Sequence, residues 1–212
     1  MSEIDIFMHE VKNSLSNIYL LVELMESNID EYGNCLPLIK ESIEQIKNVE
    51  ADYIQYRNLG KNQISRELVN IASLVNAIVA EYRTMAENKN IKIDINCTSI
   101  KLTTDETKLR QVLSNLLSNA IKYTLPGGRV LIECNKVKSV VYISVKDTGI
   151  GMNATEIAKL GTAFYRCKKI EAPGTGLGWT LIKSISDLMN WNIKVISGKP
   201  PFEHTTQVTV IL

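Results

Sequence analysis

Apolar residues Ile4, Met8, Val11, Leu15, Ile18, Val22, Met25 and Ile29 recur at alternating intervals of four and three. Sustained spacing of this kind places a seam on one side of a helix and calls for partner helices. A turn at Tyr32-Gly33-Asn34 is followed by a second stripe through Leu36, Ile39, Ile43, Ile46, Val49, Tyr53 and Tyr56. Two helices joined by a short turn make a hairpin, and two hairpins from two chains make a four-helix bundle. The pattern therefore predicts a homodimer formed through an N-terminal α-helical hairpin. Asn58 to Ser65, rich in polar residues and Gly, reads as a linker, dividing the chain into 1–60 and 61–212.

Beyond the linker the period changes. Arg66 to Val69 suggests a short strand, and Asn70 an N-cap for a helix with Ile71, Leu74, Val75, Ile78, Val79, Tyr82 and Met85 on its apolar face. Ile91 to Cys97 alternates as a half-buried strand does. Asp105 caps a helix whose buried face is Leu109, Val112, Leu113, Leu116, Leu117 and Ile121. Pro126-Gly127-Gly128 is a turn, and Val130–Cys134 and Val140–Val145 are the arms of a hairpin. A short helix over 155–160, a longer one over 180–189, and strands over 193–197 and 206–212 complete the chain. Helices and mostly antiparallel strands in mixed order predict an α+β two-layer sandwich with a mixed sheet and helices on one face.

Composition adds exclusions. With 212 residues, 45% hydrophobic and 22% charged, the chain has the make-up of an ordinary globular protein, and a formal net charge of +1 carries no nucleic-acid or membrane-surface footprint. No apolar run approaches the roughly 20 residues of a membrane span, and no secretory signal is legible. Cys35, Cys97, Cys134 and Cys167 lack C-x-x-C spacing and His neighbours, which speaks against zinc and for reduced thiols in a cytoplasmic setting.

The helix capped by Asp105 carries Asn115, Asn119 and Lys122 on one stripe. Mg²⁺ binds few protein oxygens together with substrate phosphates, so an Asn carbonyl beside a Lys suits a Mg-nucleotide. The plainer reading is the solvent face of an amphipathic helix. Two further clusters tip the balance. Asp147-Thr148-Gly149-Ile150-Gly151 follows an alternating strand, and a carboxylate at a strand end can accept from the exocyclic amine of adenine while glycines allow close approach. Pro173-Gly174-Thr175-Gly176-Leu177-Gly178 opens a helical pattern, where free N–H groups and the dipole suit phosphate.

In this order and spacing the clusters resemble the ATP-binding domain of sensor histidine kinases, within the superfamily that includes gyrase, heat-shock chaperone and mismatch-repair ATPases. The resemblance runs from about Ile64 to the C-terminus. It implies ATP and Mg²⁺ as cofactors, with Asn119 as the metal residue, aided by Asn115. It further implies nucleotide contacts from Lys122, Tyr123, Asp147, Gly149, Gly151, Arg166, Lys168, Gly174, Thr175, Gly176, Leu177, Gly178 and Thr206. Phe164 to Pro173, with its three cations, has the composition of a lid closing over phosphates. Trp179 stands where the family usually has a smaller aliphatic residue.

His9-Glu10-Val11-Lys12-Asn13-Ser14 is similar to the family's phosphoacceptor box. On that resemblance His9 is phosphorylated, Glu10 is the general base, and Asn13 positions water for dephosphorylating a partner, the receiver domain of a response regulator. Ser14 departs from the pattern by replacing the usual proline, which would bend this helix by removing a backbone hydrogen bond, so the sequence leaves the bend open. Only eight residues precede His9, consistent with an excised core or with a kinase whose sensing comes from elsewhere. Two rivals stay open: a docking or phosphotransfer module with a vestigial or regulatory ATP domain, and a gyrase- or chaperone-type ATPase. The second requires an activating carboxylate where this chain has Ser114, Asn115 and Ser118.

Overall fold

A computed structural model describes residues 3–27, 32–58, 63–163, 165, 176–198 and 205–212. Two long helices come first, α1 (Glu3–Ser27) and α2 (Tyr32–Arg57), packed against each other. The turn expected at Tyr32–Asn34 is instead the first turn of α2. Gly and Asn cost little there, because the first four amides of a helix have no intrahelical acceptor in any case. α1 runs unbroken through Ser14.

The seam between α1 and α2 differs from the expected one. On α1 it is formed by Phe7, Val11, Ser14, Ile18, Leu21 and Met25, and on α2 by Cys35, Ile39, Ser42, Val49, Tyr53 and Tyr56. Ser14, Cys35 and Ser42 are buried, so small residues let the helices close, and Phe7 stacks on Tyr53 with ring centroids 4.5 Å apart. Met8, Leu15 and Val22, three of the six expected seam residues whose side chains are described, are exposed.

The remaining elements are β1 (Glu67–Asn70), α3 (Ile71–Glu87), β2 (Lys92–Cys97), β3 (Lys101–Thr104), α4 (Glu106–Tyr123), β4 (Arg129–Val137), β5 (Val140–Asp147), α5 (Ala154–Ile157), α6 (Gly178–Met189), β6 (Asn192–Ser197) and β7 (Thr206–Ile211). Asn70 and Asp105 cap α3 and α4 as their positions predict, accepting from Ser73 N at 3.2 Å and Lys108 N at 2.9 Å. β3, which has no alternating pattern of its own, pairs with β1 in a small antiparallel ribbon. The main sheet has the order β2-β4-β5-β7-β6, parallel between β2 and β4 and antiparallel elsewhere.

Register aligns apolar rows across this sheet. Ile95, Ile132, Val145, Val208 and Val195 stand side by side, as do Cys97, Cys134, Ile143, Val210 and Ile193. Helices α3, α4 and α6 pack over that face, and Leu109, Val112, Leu117, Ile121 and Ile182 are almost wholly removed from water. The other face is polar, with Arg129–Asp94 at 2.6 Å, Lys146–Glu133 at 2.5 Å and a Ser144–Thr209 hydrogen bond of 2.9 Å. One expectation about the thiols is overturned. The parallel register sets Cys97 beside Cys134, with Cα atoms 4.3 Å apart, and the two form a disulfide. Cys35 is a free, buried thiol.

Candidate functional site

The cleft between α4, the end of β5 and the start of α6 is built from residues far apart in sequence. Counted out to open solvent, its volume is about 760 Å³. From α4 it receives Leu116, Asn119, Ala120 and Tyr123; from the β5 end Val145, Asp147, Ile150 and Gly151; from β7 Thr206 and Val208. Its walls are mainly apolar, and a few polar groups converge on it.

Asp147 is the last residue of β5 and is 7% exposed. Burial pushes its carboxyl up to about 6, opposed by the hydrogen bond from Gly149 N–H, 2.8 Å from Oδ1, and by Thr205. A buried acceptor of this kind, open to the cleft, suits a donor on a flat ligand. Thr206 sits directly opposite Asp147 in the β5–β7 register and shares a 3.0 Å hydrogen bond with Ser197 Oγ. The turn after Asp147 is tied down by Thr205 Oγ1 donating to Gly149 O at 2.6 Å and by Ile150 N–H donating to Tyr123 O at 3.2 Å. Gly151 has φ +64, and a Cβ there would lie 2.5 Å from Gly198 O. That glycine is therefore required by the close approach of the backbone at Gly198.

The two asparagines differ. Asn115 donates to Gln111 O at 2.9 Å, which fixes its Oδ1 toward Gly178, where a Cβ would come within 2.8 Å. Gly178 opens α6, and its N-cap Leu177 makes no side-chain cap bond. Backbone contact between Gly178 and Asn115 brings the positive end of α6 against the Asn stripe. Asn119 Nδ2 is buried without a hydrogen-bond partner. Since a buried amide ordinarily finds partners, an orphaned N–H donor lining a cleft, next to a helix start, fits an acceptor such as a phosphate oxygen, while the carbonyl oxygen of the same side chain is the atom that suits a hydrated divalent cation.

Of the expected nucleotide residues, the cleft is lined by Asn119, Tyr123, Asp147, Gly151 and Thr206, with Asn115, Gly149 and Gly178 in contact with that set. Lys122, in the last turn of α4, does not line it, and Leu177 is buried. Gly176 takes the left-handed conformation, φ +74. Arg166, Lys168, Gly174 and Thr175 lie outside the described residues, as does most of the expected lid. Tyr165, which is described, reaches the cleft, with Lys159 Nζ 5.5 Å from its ring centroid. His9 and Glu10 belong to α1 by backbone, their side chains lying outside the described set, and Asn13 is exposed.

Sequence reasoning missed several supports. Lys89 Nζ donates to the carbonyls of Ile121, Lys122 and Thr124 at 2.8, 2.9 and 2.7 Å, closing the C-terminus of α4 beside the cleft. Burial lowers its pKa. Thr205, Ser197, Met152 and Leu160 also carried no local signal.

Fold and cleft together define a nucleotide-binding α+β sandwich. Residues 104–212, just over half of the chain, match the family model described as histidine kinase-, DNA gyrase B-, and HSP90-like ATPase. The chain belongs to that family, and within it its relatives are sensor histidine kinases. It is 26% identical over 207 residues to the autoinducer 2 sensor kinase/phosphatase LuxQ of Vibrio parahaemolyticus, covering 90% of this chain and 24% of that one. The chain thus spans about a quarter of the length of the curated relative it matches. Histidine kinase ThkA, solved in complex with response regulator protein TrrA, superposes with a TM-score of 0.77 at 18% identity, covering 97% of this chain and 59% of that one. Full-length ShkA in complex with AMPPNP gives 0.71 at 22% identity, covering 100% of this chain and 46% of that one. These two likenesses concern the fold. Among the described residues no helix is long and apolar enough to cross a membrane.

Proposed function

We propose that the chain is the core of an ATP-dependent protein-histidine kinase acting in two-component signalling in the cytoplasm, with residues 1–60 as the dimerisation and phosphoacceptor hairpin and 61–212 as the ATP-binding catalytic domain. The observation that carries this reading is the convergence of Asp147, the Asn115/Asn119 pair and the start of α6 on one cleft. Asp147, with Thr206 beside it, accepts from the adenine amine. Asn119, aided by Asn115, holds Mg²⁺, which when bound offsets phosphate charge. Lys122, the cations Arg166 and Lys168, and the amides from Gly174 to Gly178 bind the phosphates. Phosphoryl transfer rests on positioning and electrostatics. His9 therefore has to be brought in line with the γ-phosphate by movement of one unit against the other, Glu10 accepting the imidazole proton.

His9 then donates the phosphoryl group to an aspartate on the receiver domain of a response regulator, and Asn13 positions water for hydrolysis of that aspartyl phosphate, which releases inorganic phosphate. The complex of ThkA with TrrA supports a partner of this class. The exposed stripe of Met8, Leu15 and Val22 supports pairing of two hairpins into a four-helix bundle. Incubation of the purified chain with γ-labelled ATP and Mg²⁺ tests the proposal. Acid-labile, base-stable label is expected in the wild type and is absent from His9→Gln and Asn119→Asp. ATP binding without label in the wild type would replace the kinase by a docking module.

A further inference from the structure

The buried stripe of α6 runs through Ile182, Ile185 and Met189, and Trp179 continues it one turn toward the N-terminus. There the stripe leaves the core. Trp179 packs on the core at one edge, is only partly buried, and lines the cleft beside the apolar residues Leu116 and Val208. Its indole N–H makes no hydrogen bond among the described residues, so nothing in the apo fold uses the ring fully. An aromatic surface of this size, half inside the core and half facing a cleft, has the free area that a second flat ring needs.

The polar groups of the cleft address only the edges of a base: Asp147 and Thr206 accept or donate in the plane of a ring and discriminate little between ring sizes. A base also has two apolar faces. An aliphatic residue at 179 would offer area without orientation, whereas an indole favours offset-stacked or edge-to-face geometry against another aromatic ring and gains more from a bicyclic than from a monocyclic partner. Resting on the nucleotide-site reading above, we infer that Trp179 contacts the purine ring of the bound nucleotide and is a specificity residue, setting the preference for purine over pyrimidine nucleotides.

Calorimetric titration of the full chain with Mg-ADP and Mg-CDP tests this, beside Trp179→Leu and Trp179→Phe. Base–aromatic contacts of this type are worth enough for about a tenfold loss of Mg-ADP affinity in Trp179→Leu. Mg-CDP affinity should change less than about twofold on the same grounds, and Trp179→Phe should retain most of the preference. The chain has two tryptophans, so in a Trp191→Phe background the emission reports Trp179 alone and should shift saturably with Mg-ADP. Equal weakening of both nucleotides, an unchanged affinity, or emission that ignores calorimetrically bound Mg-ADP would overturn the inference while leaving the nucleotide site intact. A wild type that binds neither nucleotide would overturn the site and the inference together.

Discussion

The two helices at the N-terminus and the sandwich that follows them bury apolar surface in opposite ways. In the sandwich, five strands and three helices enclose Leu109, Val112, Ile121, Ile143 and Ile182, each essentially inaccessible to water. Between α1 and α2 the buried apolar residues among those described are Cys35 and Val49, while Met8, Leu15 and Val22, on one stripe of α1, remain 39 to 55% exposed. An exposed apolar stripe of this kind marks a surface on which something docks. One region is complete in a single chain; the other has the residues of a core but not the partner.

Charging the exposed stripe is the strongest way to break that contrast. Leu15 is 53% exposed and central to the stripe. Full burial of a leucine is worth about 1.5–3 kcal/mol, counted twice in a symmetric pair, so Leu15→Asp should weaken a dimer more than a hundredfold. Light scattering across a concentration series should show dimer mass for the wild type and monomer mass for the variant, with the melting of the sandwich unmoved. A wild type that is monomeric throughout would remove the hairpin-pairing proposal.

How far each region was legible follows from the same difference. In α4 a single buried face, an Asp cap and a clear end coincide, so helix, core residues and the Asn stripe were all readable. In α1 two faces carry apolar residues, and hydropathy spacing merged them: Ser14, polar by composition, is buried because its size permits close approach, while Leu15 is not. The Cys97–Cys134 bond depends on parallel pairing of strands whose cysteines are 37 residues apart, which no local pattern encodes. Lys89 was unreadable for the same reason, since its three acceptors lie 32 to 35 residues away.

Within the sandwich the contrast takes another form: the core is complete, yet the site inside it is kept unfavourable. Asp147 is raised to about 6 from 3.8, mainly by burial. Below about pH 4 the carboxyl is protonated in both folded and unfolded chains and costs nothing. Between about 4 and 6 the unfolded chain ionises first, so stability falls as pH rises, and above 6 the whole penalty is present. At about 1.4 kcal/mol per unit the ceiling is near 3 kcal/mol. Asp147→Asn keeps an oxygen for Gly149 N–H, and it should raise the melting temperature of the apo protein at pH 8 but not at pH 4, while nucleotide affinity drops. Equal stabilisation at both pH values would assign the gain to packing rather than to the charge.

The smallest of these effects sharpens the comparison most directly. Lys89 is half-buried and its three bonds hold the last carbonyls of α4, where a cation also meets the negative end of the helix. Partial exposure discounts them, leaving about 1–2 kcal/mol for the group. Tyr123, in that last turn, lines the cleft and accepts from Ile150 N–H, so loosening the turn also loosens the segment after Asp147. Lys89→Met should lower the melting temperature by a few degrees and weaken nucleotide binding severalfold, and Lys89→Arg, whose planar fork cannot reach three converging carbonyls equally, should recover only part. Both changes should be independent of protein concentration, unlike those at Leu15, because every acceptor lies in the same chain. A concentration-dependent loss in Lys89→Met would mean that the sandwich, too, relies on a second copy.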